Sequence, residues 1–475
     1  MSNGVSFDLL FNPRTVAIVG DRRENNFYWA RALLRAGFKG RTYYVNTAVD
    51  QALGQRFYKS LLEIADEIDY VIISVPAKIV PTIVSDCAEK GVKFATIFSS
   101  GFTELGSEEG KKLEEEILIS ARGKVRIIGP NCLGVYCPRS GLAFRLDQPR
   151  TFGSVAFISQ SGGLSNLFTL SGWRHGIHFS KVLSYGNSID VCDSELLEYL
   201  ADDPETSIIG AYLEGTKNGV KLANALIKAS SKKPVIVWKG GTSGSGAKAA
   251  SSHTGSLAGS PSIWEAVLHQ TRVIAVRSLD ELIGTVKLLL FSPPPHGRNV
   301  GLISISGGSS VVNTDIVVRY GLQVPRLGEE TKNALKSVLE SVGTSVSNPI
   351  DMGSAFYNPD ILRTAAFTIG EDPNIDSLIV EIAPLYVISH AKGIGDYGLP
   401  SRSWRNLLMT VSQVMAKTGK PVAVAIVDVA YEKESRRIEK MLTINSIPCY
   451  PSVGRAAEAL ANYANYHLTR QVSNS

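Results

Sequence analysis

The chain has 475 residues, with 49 Lys and Arg against 44 Asp and Glu, which gives a formal net charge of +5 at pH 7. Hydrophobic residues make up 44% and charged residues 20%, as in globular proteins with true cores, and the length predicts about three domains. The small positive charge is not gathered in a basic tract, which argues against nucleic-acid binding and weakly favours acidic small molecules.

Two further function classes are disfavoured by the composition. No run of about 18 apolar residues and no signal pattern at the N-terminus occur, so we expect a cytoplasmic protein without a membrane partner. The cysteines are few and scattered, and the spacing of Cys132 and Cys137 does not suit a zinc knuckle. We therefore expect neither a metal site nor disulfides.

The first part of the chain alternates short strand-like runs with helical stretches. Thr15–Gly20 predicts a buried strand, and Trp29–Gly37 predicts the helix that follows it. The same cadence continues in further predicted strands and helices: strands Thr42–Asn46, Tyr70–Val75, Phe94–Ser99 and Val125–Gly129, and helices Pro81–Lys90 and Glu108–Arg122. Parallel strands joined by right-handed crossovers predict an α/β, Rossmann-like domain over residues 1–145.

Ligands of such sheets bind beyond the carboxyl ends of the strands. The predicted strand ends of this domain carry small and polar residues that can approach a phosphate or a carbonyl group. The candidate ligand-binding residues are Gly20, Arg22, Asn46, Pro76, Ser100 and Asn131.

A second α/β domain is predicted over residues 146–291. The strand Ser154–Ser159 leads into a Ser-Gly-Gly turn and a helix, and Pro234–Lys239 is a later strand followed directly by a loop. The proline-rich stretch Ser292–Gly297 predicts a stiff linker. A third domain is predicted over residues 298–475.

An internal repeat relates the second and third domains. Ile158–Gly163 matches Ile303–Gly308, and Arg174–Ile177 matches Arg319–Leu322 at the same offset. The shared strand, Ser-Gly-Gly turn and helix predict two flavodoxin-like parallel-sheet domains after the Rossmann-like one.

The two Ser-Gly-Gly turns are candidate phosphate sites. A helix that opens on glycine presents unpaired backbone N–H groups at its positive end, where an anion can approach closely. Each turn alone is equally typical of an ordinary helix cap. The duplication favours a shared phosphate cradle formed by Ser161, Gly162, Gly163, Gly307, Gly308 and Ser309.

His253 lies in a run of small residues, Gly244–Ser260, that offers no bulky side chain to pack it. Imidazole is nucleophilic near neutral pH and can accept a phosphoryl group directly. A loop of small residues suits a histidine that carries a group between two places. By spacing alone, a surface loop that happens to contain a histidine is an equal alternative.

Ser251–Gly259, together with Gly246–Ala250 before it, resembles the phosphohistidine loop of the NDP-forming acyl-CoA synthetases, relatives of succinyl-CoA synthetase. The resemblance implies an N-terminal CoA-binding domain, a phosphohistidine domain and a further ligase domain. It implies that Glu214 orients the imidazole of His253 and that Asn131 hydrogen-bonds the pantetheine or the acyl carbonyl. It also implies CoA and ATP or ADP as cofactors, with Mg²⁺ bound mostly by a partner.

The loop Gly20–Asn26 departs from that family's usual glycine-rich pattern. Arg22 can still pair with a phosphate, whereas Asp21 is expected to repel a pyrophosphate. An acyl acceptor other than CoA is therefore an open alternative.

The resemblance implies an acid–thiol ligase, the α subunit of an ADP-forming synthetase. A small carboxylic acid, CoA and ATP give acyl-CoA, ADP and phosphate, reversibly, through phospho-His253 and an acyl phosphate. We find no P-loop motif and no room for an ATP-grasp domain, so we expect an ATP-grasp β subunit and an α2β2 or other hetero-oligomer. A catalytically silent module that senses CoA or acyl-CoA is the alternative of a different class.

Overall fold

The computed structural model describes residues 5–248, 260–339, 343–427 and 429–474, the last four of these in backbone only. The chain divides into two compact units, Met1–Arg277 and Ser278–Ser475. Among the described helices, none is long and apolar enough to cross a membrane.

The first sheet of the first unit is built around a fully buried strand, β1 (Thr15–Val19), which lies between two parallel neighbours. Its strand order is β3-β4-β2-β1-β5-β6-β7, in which only β3 is antiparallel to its neighbour. Without β3 this is the doubly wound Rossmann order. The other elements are β2 (Arg41–Val45), β3 (Gln51–Ala52), β4 (Gln55–Tyr58), β5 (Tyr70–Ile73), β6 (Phe94–Ile97), β7 (Arg126–Ile128), α1 (Asp8–Phe11), α2 (Tyr28–Ala36), α3 (Val80–Lys90) and α4 (Glu108–Ala121).

The second sheet also belongs to the first unit and has the order β13-β12-β11-β9-β10-β8. Its five parallel strands follow the flavodoxin order, and β8 adds an antiparallel edge. The elements are β8 (Gly134–Tyr136), β9 (Phe152–Ser159), β10 (Phe179–Ser184), β11 (Ile208–Leu213), β12 (Val235–Lys239), β13 (Ile274–Val276), α5 (Gly162–Arg174), α6 (Asp193–Asp202), α7 (Gly219–Lys232) and α8 (Pro261–Gln270).

The second unit contains one five-stranded parallel sheet of order β15-β14-β16-β17-β18, again the flavodoxin order. Helix α9 (Leu279–Phe291) packs within this unit, where Lys287 donates to the carbonyl of Cys449. The sequence assigns this helix to the middle domain, because it precedes the proline-rich stretch. The other elements are β14 (Val300–Ser304), β15 (Ile350–Asp351), β16 (Ser377–Ile382), β17 (Val422–Ile426), β18 (Cys449–Tyr450), α10 (Gly307–Arg319), α11 (Glu329–Lys336), α12 (Pro359–Glu371), α13 (Pro384–Ile394), α14 (Leu399–Thr418), α15 (Glu432–Ile444) and α16 (Val453–Asn474).

The predicted fold class is confirmed: a Rossmann-like sheet is followed by two flavodoxin-like sheets. The predicted strands and helices of the first sheet match the observed ones to within one or two residues. The sequence missed β3 and β8, which are short edge strands, and β4, which lies beside β3; all three carry little periodic signal. It also placed no strand at β10, at β13 or at β15 to β18. The boundaries 1–145, 146–291 and 298–475 stay predictions.

The two sheets of the first unit meet at a pair of turns. The turn at Gly186 approaches the turn at Pro130 so closely that a Cβ on Gly186 would lie 2.2 Å from the Pro130 carbonyl oxygen. The next residue, Asn187, donates its backbone N–H to the same oxygen at 3.0 Å. Its side-chain amide donates to Glu104 at 2.7 Å and to Glu114 at 2.9 Å. The sheets are thus joined by backbone contact and by buried polar bonds.

We expect Gly186→Ala to lower the free energy of unfolding by about 1–3 kcal/mol, because the new methyl group overlaps backbone and φ is +51°. Urea titration followed by tryptophan fluorescence measures the change. Gly219→Ala is the matched control, since a Cβ there meets nothing within 4 Å. Equal stability of the two variants would show that the turns are not in tight contact.

Candidate functional site

A cavity of about 670 Å³ lies within the first unit, between the strand ends of the first sheet and the start of α5 in the second. Three strand-end segments of the first sheet form one wall: 74–76, 98–100 and 131–133. Gln160 to Gly163 and Asn166 form the opposite wall. Two guanidinium groups, Arg22 and Arg145, complete the lining.

Most of the sequence-predicted residues of this unit meet at the cavity. From the candidate ligand-binding set, Arg22, Pro76, Ser100 and Asn131 line it, together with Ser161, Gly162 and Gly163 from the candidate cradle. Their roles stay predictions.

Gly20 and Asn46 are not among the described lining residues of this cavity. Gly20 has φ +91°, and a Cβ there would lie 2.4 Å from the carbonyl oxygen of Ser74, so glycine lets β1 and β5 end side by side. The Asn46 amide donates to the Asp21 carbonyl at 2.9 Å. Both residues support the turn behind the cavity.

The start of α5 is built by the caps that the Ser-Gly-Gly motif predicts. The Ser161 hydroxyl accepts from the Leu164 N–H at 3.3 Å, and its own carbonyl accepts from Ser159 at 2.8 Å. A Cβ on Gly162 would lie 2.9 Å from Leu133 Cγ, so glycine is required for the two walls to meet. A Cβ on Gly163 would meet nothing closer than 3.9 Å, which leaves its N–H approachable from the cavity.

Asp21 does not line the cavity, contrary to the expectation that it faces a pyrophosphate. Its side chain is 1% exposed, and Oδ2 accepts from the Ala30 N–H at 2.8 Å in the first turn of α2. Burial raises the pKa of this carboxyl. The carboxylate therefore occupies the positive end of α2, the place where doubly wound folds commonly hold a phosphate.

Arg145, which the sequence analysis missed, is the second cationic group in the cavity. It follows β8 and forms a two-pronged ion pair with Asp147 at 2.8 and 3.0 Å. The pair raises the pKa of Arg145. No local motif marks this residue, because only the fold brings it into the same cavity as Arg22.

Cys132 forms part of the wall and has an inert thiol. The residue is 3% exposed, and burial raises its pKa to about 12. A thiol of that pKa stays protonated near neutral pH, so it does not act as a nucleophile.

Glu214 lies at the end of β11, 6% exposed and held by several groups. Its Oε1 accepts from the Tyr212 hydroxyl at 3.1 Å, and its carbonyl accepts from Lys239 Nζ at 2.8 Å. Gln160 Oε1 accepts from the N–H groups of Glu214 and Gly215, the latter at 3.1 Å. Gln160 thus links the cavity to Glu214, a connection that the sequence analysis missed. The sequence signal that could have revealed this connection is the position of Gln160, a polar residue directly after the buried part of β9.

His253 lies outside the described residues, so its contact with Glu214 stays a prediction. The loop that carries it leaves β12 next to Glu214, since the Gly240 N–H donates to the Leu213 carbonyl at 2.9 Å.

The repeated turn in the second unit has the same local structure. Ser306 caps α10 by accepting from the Ser309 N–H at 3.3 Å, and a Cβ on Gly308 would meet nothing within 4 Å. A buried carboxyl, Glu381, accepts from the Ile305 N–H at 3.2 Å, and burial raises its pKa. The turn is therefore capped as the sequence predicts and is open at Gly308, whereas a Cβ on Gly307 would lie 3.1 Å from Asp351 Oδ2. The role of Gly307, Gly308 and Ser309 in binding phosphate stays a prediction.

Sequence profiles of two domain families match the chain. The CoA binding domain matches residues 14–138, and the succinyl-CoA ligase like flavodoxin domain matches residues 152–289. The chain is 36% identical over 96% of its length to the α subunit of acetate–CoA ligase [ADP-forming] II from Pyrococcus furiosus, of which 98% is covered. It is 37% identical, with 96% and 97% covered, to the α subunit of the corresponding ligase I from the same organism.

The chain belongs to the ADP-forming acyl-CoA synthetases. Its fold superposes with a TM-score of 0.84 and 29% identity on the dinucleotide forming acetyl-coenzyme A synthetase 1 of Ca. Korarchaeum cryptofilum, solved with phosphate and ADP, over 98% of both chains. Membership makes this chain an enzyme of the acid–thiol ligase class, similar to chains that are named α subunits.

We expect Asp21→Asn to change the pH dependence of stability of this synthetase chain. The folded pKa of Asp21 lies above the unfolded value of about 3.9, so wild type loses stability as pH rises through the folded pKa. The asparagine variant lacks that loss, and its unfolding free energy relative to wild type should increase from pH 4 to pH 7.

Asp50→Asn is the control of opposite sign. Lys59 lowers the pKa of Asp50, so this carboxylate stabilises the fold above its unfolded pKa and the contribution is lost as pH falls. The unfolding free energy of Asp50→Asn relative to wild type should therefore decrease as pH rises. Parallel slopes for both variants would contradict the burial of Asp21. Urea titrations at each pH supply the measurement.

Proposed function

We propose that this synthetase chain joins a small carboxylic acid to CoA at the expense of ATP, with ADP and phosphate as the other products. The phosphoryl group passes through His253 and then through an acyl phosphate. CoA and the nucleotide are substrates of the reaction, and Mg²⁺ accompanies the nucleotide.

The observation that carries this proposal is the composition of the cavity walls. One wall consists of strand ends in the CoA-binding domain, and the other is the glycine-opened start of α5 in the succinyl-CoA ligase like domain. A thiol held at the first wall and a phosphorylated acid held at the second would meet inside one cavity. Arg22 and Arg145 supply cations for the phosphates of CoA, since α2 is capped by Asp21.

The His253 relay is supported by the chain path beside Glu214. His253 follows Gly240 by 13 positions, of which residues 244–248 are helical. We propose that the rest of this segment lets the imidazole reach both the partner-bound nucleotide and the start of α5. A buried carboxylate partner makes one ring nitrogen a donor and leaves the other free to attack phosphorus.

In each proposed step, the bond that forms is matched by a bond that breaks, and the groups involved belong to this chain or to its substrates. The free imidazole nitrogen attacks the γ-phosphorus of ATP, an N–P bond forms, and ADP leaves with the broken P–O bond. A carboxylate oxygen of the acid then attacks the same phosphorus and the N–P bond breaks, which gives an acyl phosphate. The CoA sulfur attacks the acyl carbon, its proton passes to solvent or phosphate, and phosphate departs. The N–H groups at the start of α5 would stabilise the anion in the two steps that follow phosphorylation of His253.

The second capped turn, at Gly307, Gly308 and Ser309, is proposed to hold the same phosphoryl group. Its geometry matches the first turn, and Glu381 fixes the backbone just before it. The nucleotide would be bound mostly by an ATP-grasp β subunit, in an α2β2 or other hetero-oligomer.

We expect the chain, co-expressed with its partner and given γ-labelled ATP, to acquire label that is acid-labile and base-stable. His253→Asn should abolish the label, because the asparagine amide is not nucleophilic. Glu214→Gln should slow labelling about 10²–10³-fold, in the range of lost transition-state hydrogen bonds. His269→Asn, at the exposed end of α8, should label as wild type. Retained label in the His253 variant would refute the relay.

We expect Arg145→Gln to weaken CoA binding about tenfold, because one charge-assisted contact to phosphate is lost. Thermal shift and calorimetric titration with CoA and with dephospho-CoA measure the change. Arg150→Gln is the control, since Arg150 is exposed and outside the described lining of the cavity. Absence of any CoA response in wild type, with His253 labelling intact, would favour a different acyl acceptor. A chain that responds to CoA but is never labelled would favour the sensing module.

A further inference from the structure

A second cavity, of about 1130 Å³, lies wholly within the second unit. Its lining comes from the turn Gly353–Tyr357, the start of α12, the end of α13 and the first half of α14. None of the candidate cradle residues Gly307, Gly308 and Ser309 is among its described lining residues. The mechanism proposed above makes no use of this cavity.

The cavity is electropositive. Arg363, Arg402 and Arg405 line it, whereas Asp360 is the one carboxylate among the described lining residues, so the lining carries three positive charges against one negative. Arg402 pairs with Asp396 outside the lining. The described hydrogen bonds of the other two, Arg363 and Arg405, do not join them to a carboxylate.

Those two groups are bonded to neutral oxygens. Arg363 donates to the Gln413 amide oxygen at 2.9 Å, and Arg405 donates to the Ser401 carbonyl at 3.2 Å. Both bonds orient a guanidinium group without cancelling its charge, which leaves planar donor edges for a carboxylate or phosphate.

The rest of the lining is apolar and partly open. Tyr357 and His390 stack with ring centroids 4.2 Å apart and planes within 13°, which forms a flat wall. Ile394 is 58% and Met409 is 48% exposed, large fractions for side chains that line a concavity. Leu399 and Leu408 extend the same surface. Apolar concavities with a few convergent charged groups are typical of small-molecule sites.

We propose that this cavity binds an amphipathic organic anion, in which an apolar body lies on the Tyr357 and Met409 surface and an anionic head pairs with Arg363 and Arg405. The helix N-terminus nearby is not the anion site, because Asn358 Oδ1 already accepts from the Asp360 and Ile361 N–H groups at 3.0 and 3.4 Å. The concave surface and the charge of Arg363 and Arg405 favour an anionic ligand with an apolar body. The inference does not depend on the acyl-transfer reaction.

Fluorescence titration of the full chain with 8-anilinonaphthalene-1-sulfonate, an apolar ring system with one anionic head, tests the proposal. We expect saturable binding that weakens at least tenfold in Arg405→Glu and in Met409→Glu, and that weakens with added salt. Arg326→Glu, at an exposed arginine outside the described lining, should bind as wild type. Far-UV circular dichroism verifies that each variant is folded. Identical titrations for all four proteins would overturn the proposal.

Competition by octanoate and by octyl phosphate identifies the head group. The competitor that displaces the dye at the lower concentration shows whether the site prefers a carboxylate or a phosphate ester, and failure of both overturns the proposal. The titration is repeated with the co-expressed partner subunit. If the part of the dye fluorescence that is lost in Arg405→Glu persists with the partner bound, the site is open in the assembled enzyme. If it disappears, the face is a protein interface and the small-anion proposal is wrong.

Discussion

The close approach of Gly186 to the Pro130 turn is the contact on which the first unit depends. A side chain at that glycine would displace the backbone that it touches, and the bonds of Asn187 to two glutamates add polar contacts that require the same spacing. With the two turns in contact, the strand ends of the first sheet face the start of α5. The cavity therefore results from how the two sheets of the first unit are joined, and neither sheet alone contains it.

The position of the Asp21 carboxyl group determines which positive groups of this cavity are available to an anion. Doubly wound folds commonly place a phosphate at the first helix, but here a protein carboxylate occupies that end of α2. The cationic groups available to an anion are instead two arginines, Arg22 and Arg145, which are far apart in sequence. The loop Gly20–Asn26 thus places a carboxylate at the start of α2, and the proposed phosphate ligands are the two arginines of the cavity lining.

The two Ser-Gly-Gly turns have similar caps but are held by different side chains. In the first unit Gln160 ties the turn to the end of the neighbouring strand, and Tyr212 bonds Glu214. In the second unit the position equivalent to Gln160 is Ile305, and its N–H is held by the buried carboxyl of Glu381 on the neighbouring strand. Each copy therefore has a glutamate beside its turn. Glu214 directly follows β11, whereas Glu381 lies within β16 and bonds the turn itself. The Glu381 carboxyl is thus engaged by the backbone of its own turn, and only Glu214 is proposed to orient a histidine.

The sequence by itself determined the fold class and the capped turns, because strand and helix periodicity, serine caps and glycine spacing act over a few residues. His253 was chosen on a family resemblance, and its role stays a prediction. Tertiary structure decided the rest. Arg145 lines the same cavity as Arg22, which lies 123 positions before it in the chain. Gln160 bonds the Glu214 N–H across 54 positions, and Glu381 bonds the Ile305 N–H across 76, where no local pattern records the pairing. The direction of Asp21 was likewise misjudged, since a charge beside a phosphate-type loop gives no sign of which neighbour will bind it. Short edge strands were missed because their pairing comes from the neighbouring strand.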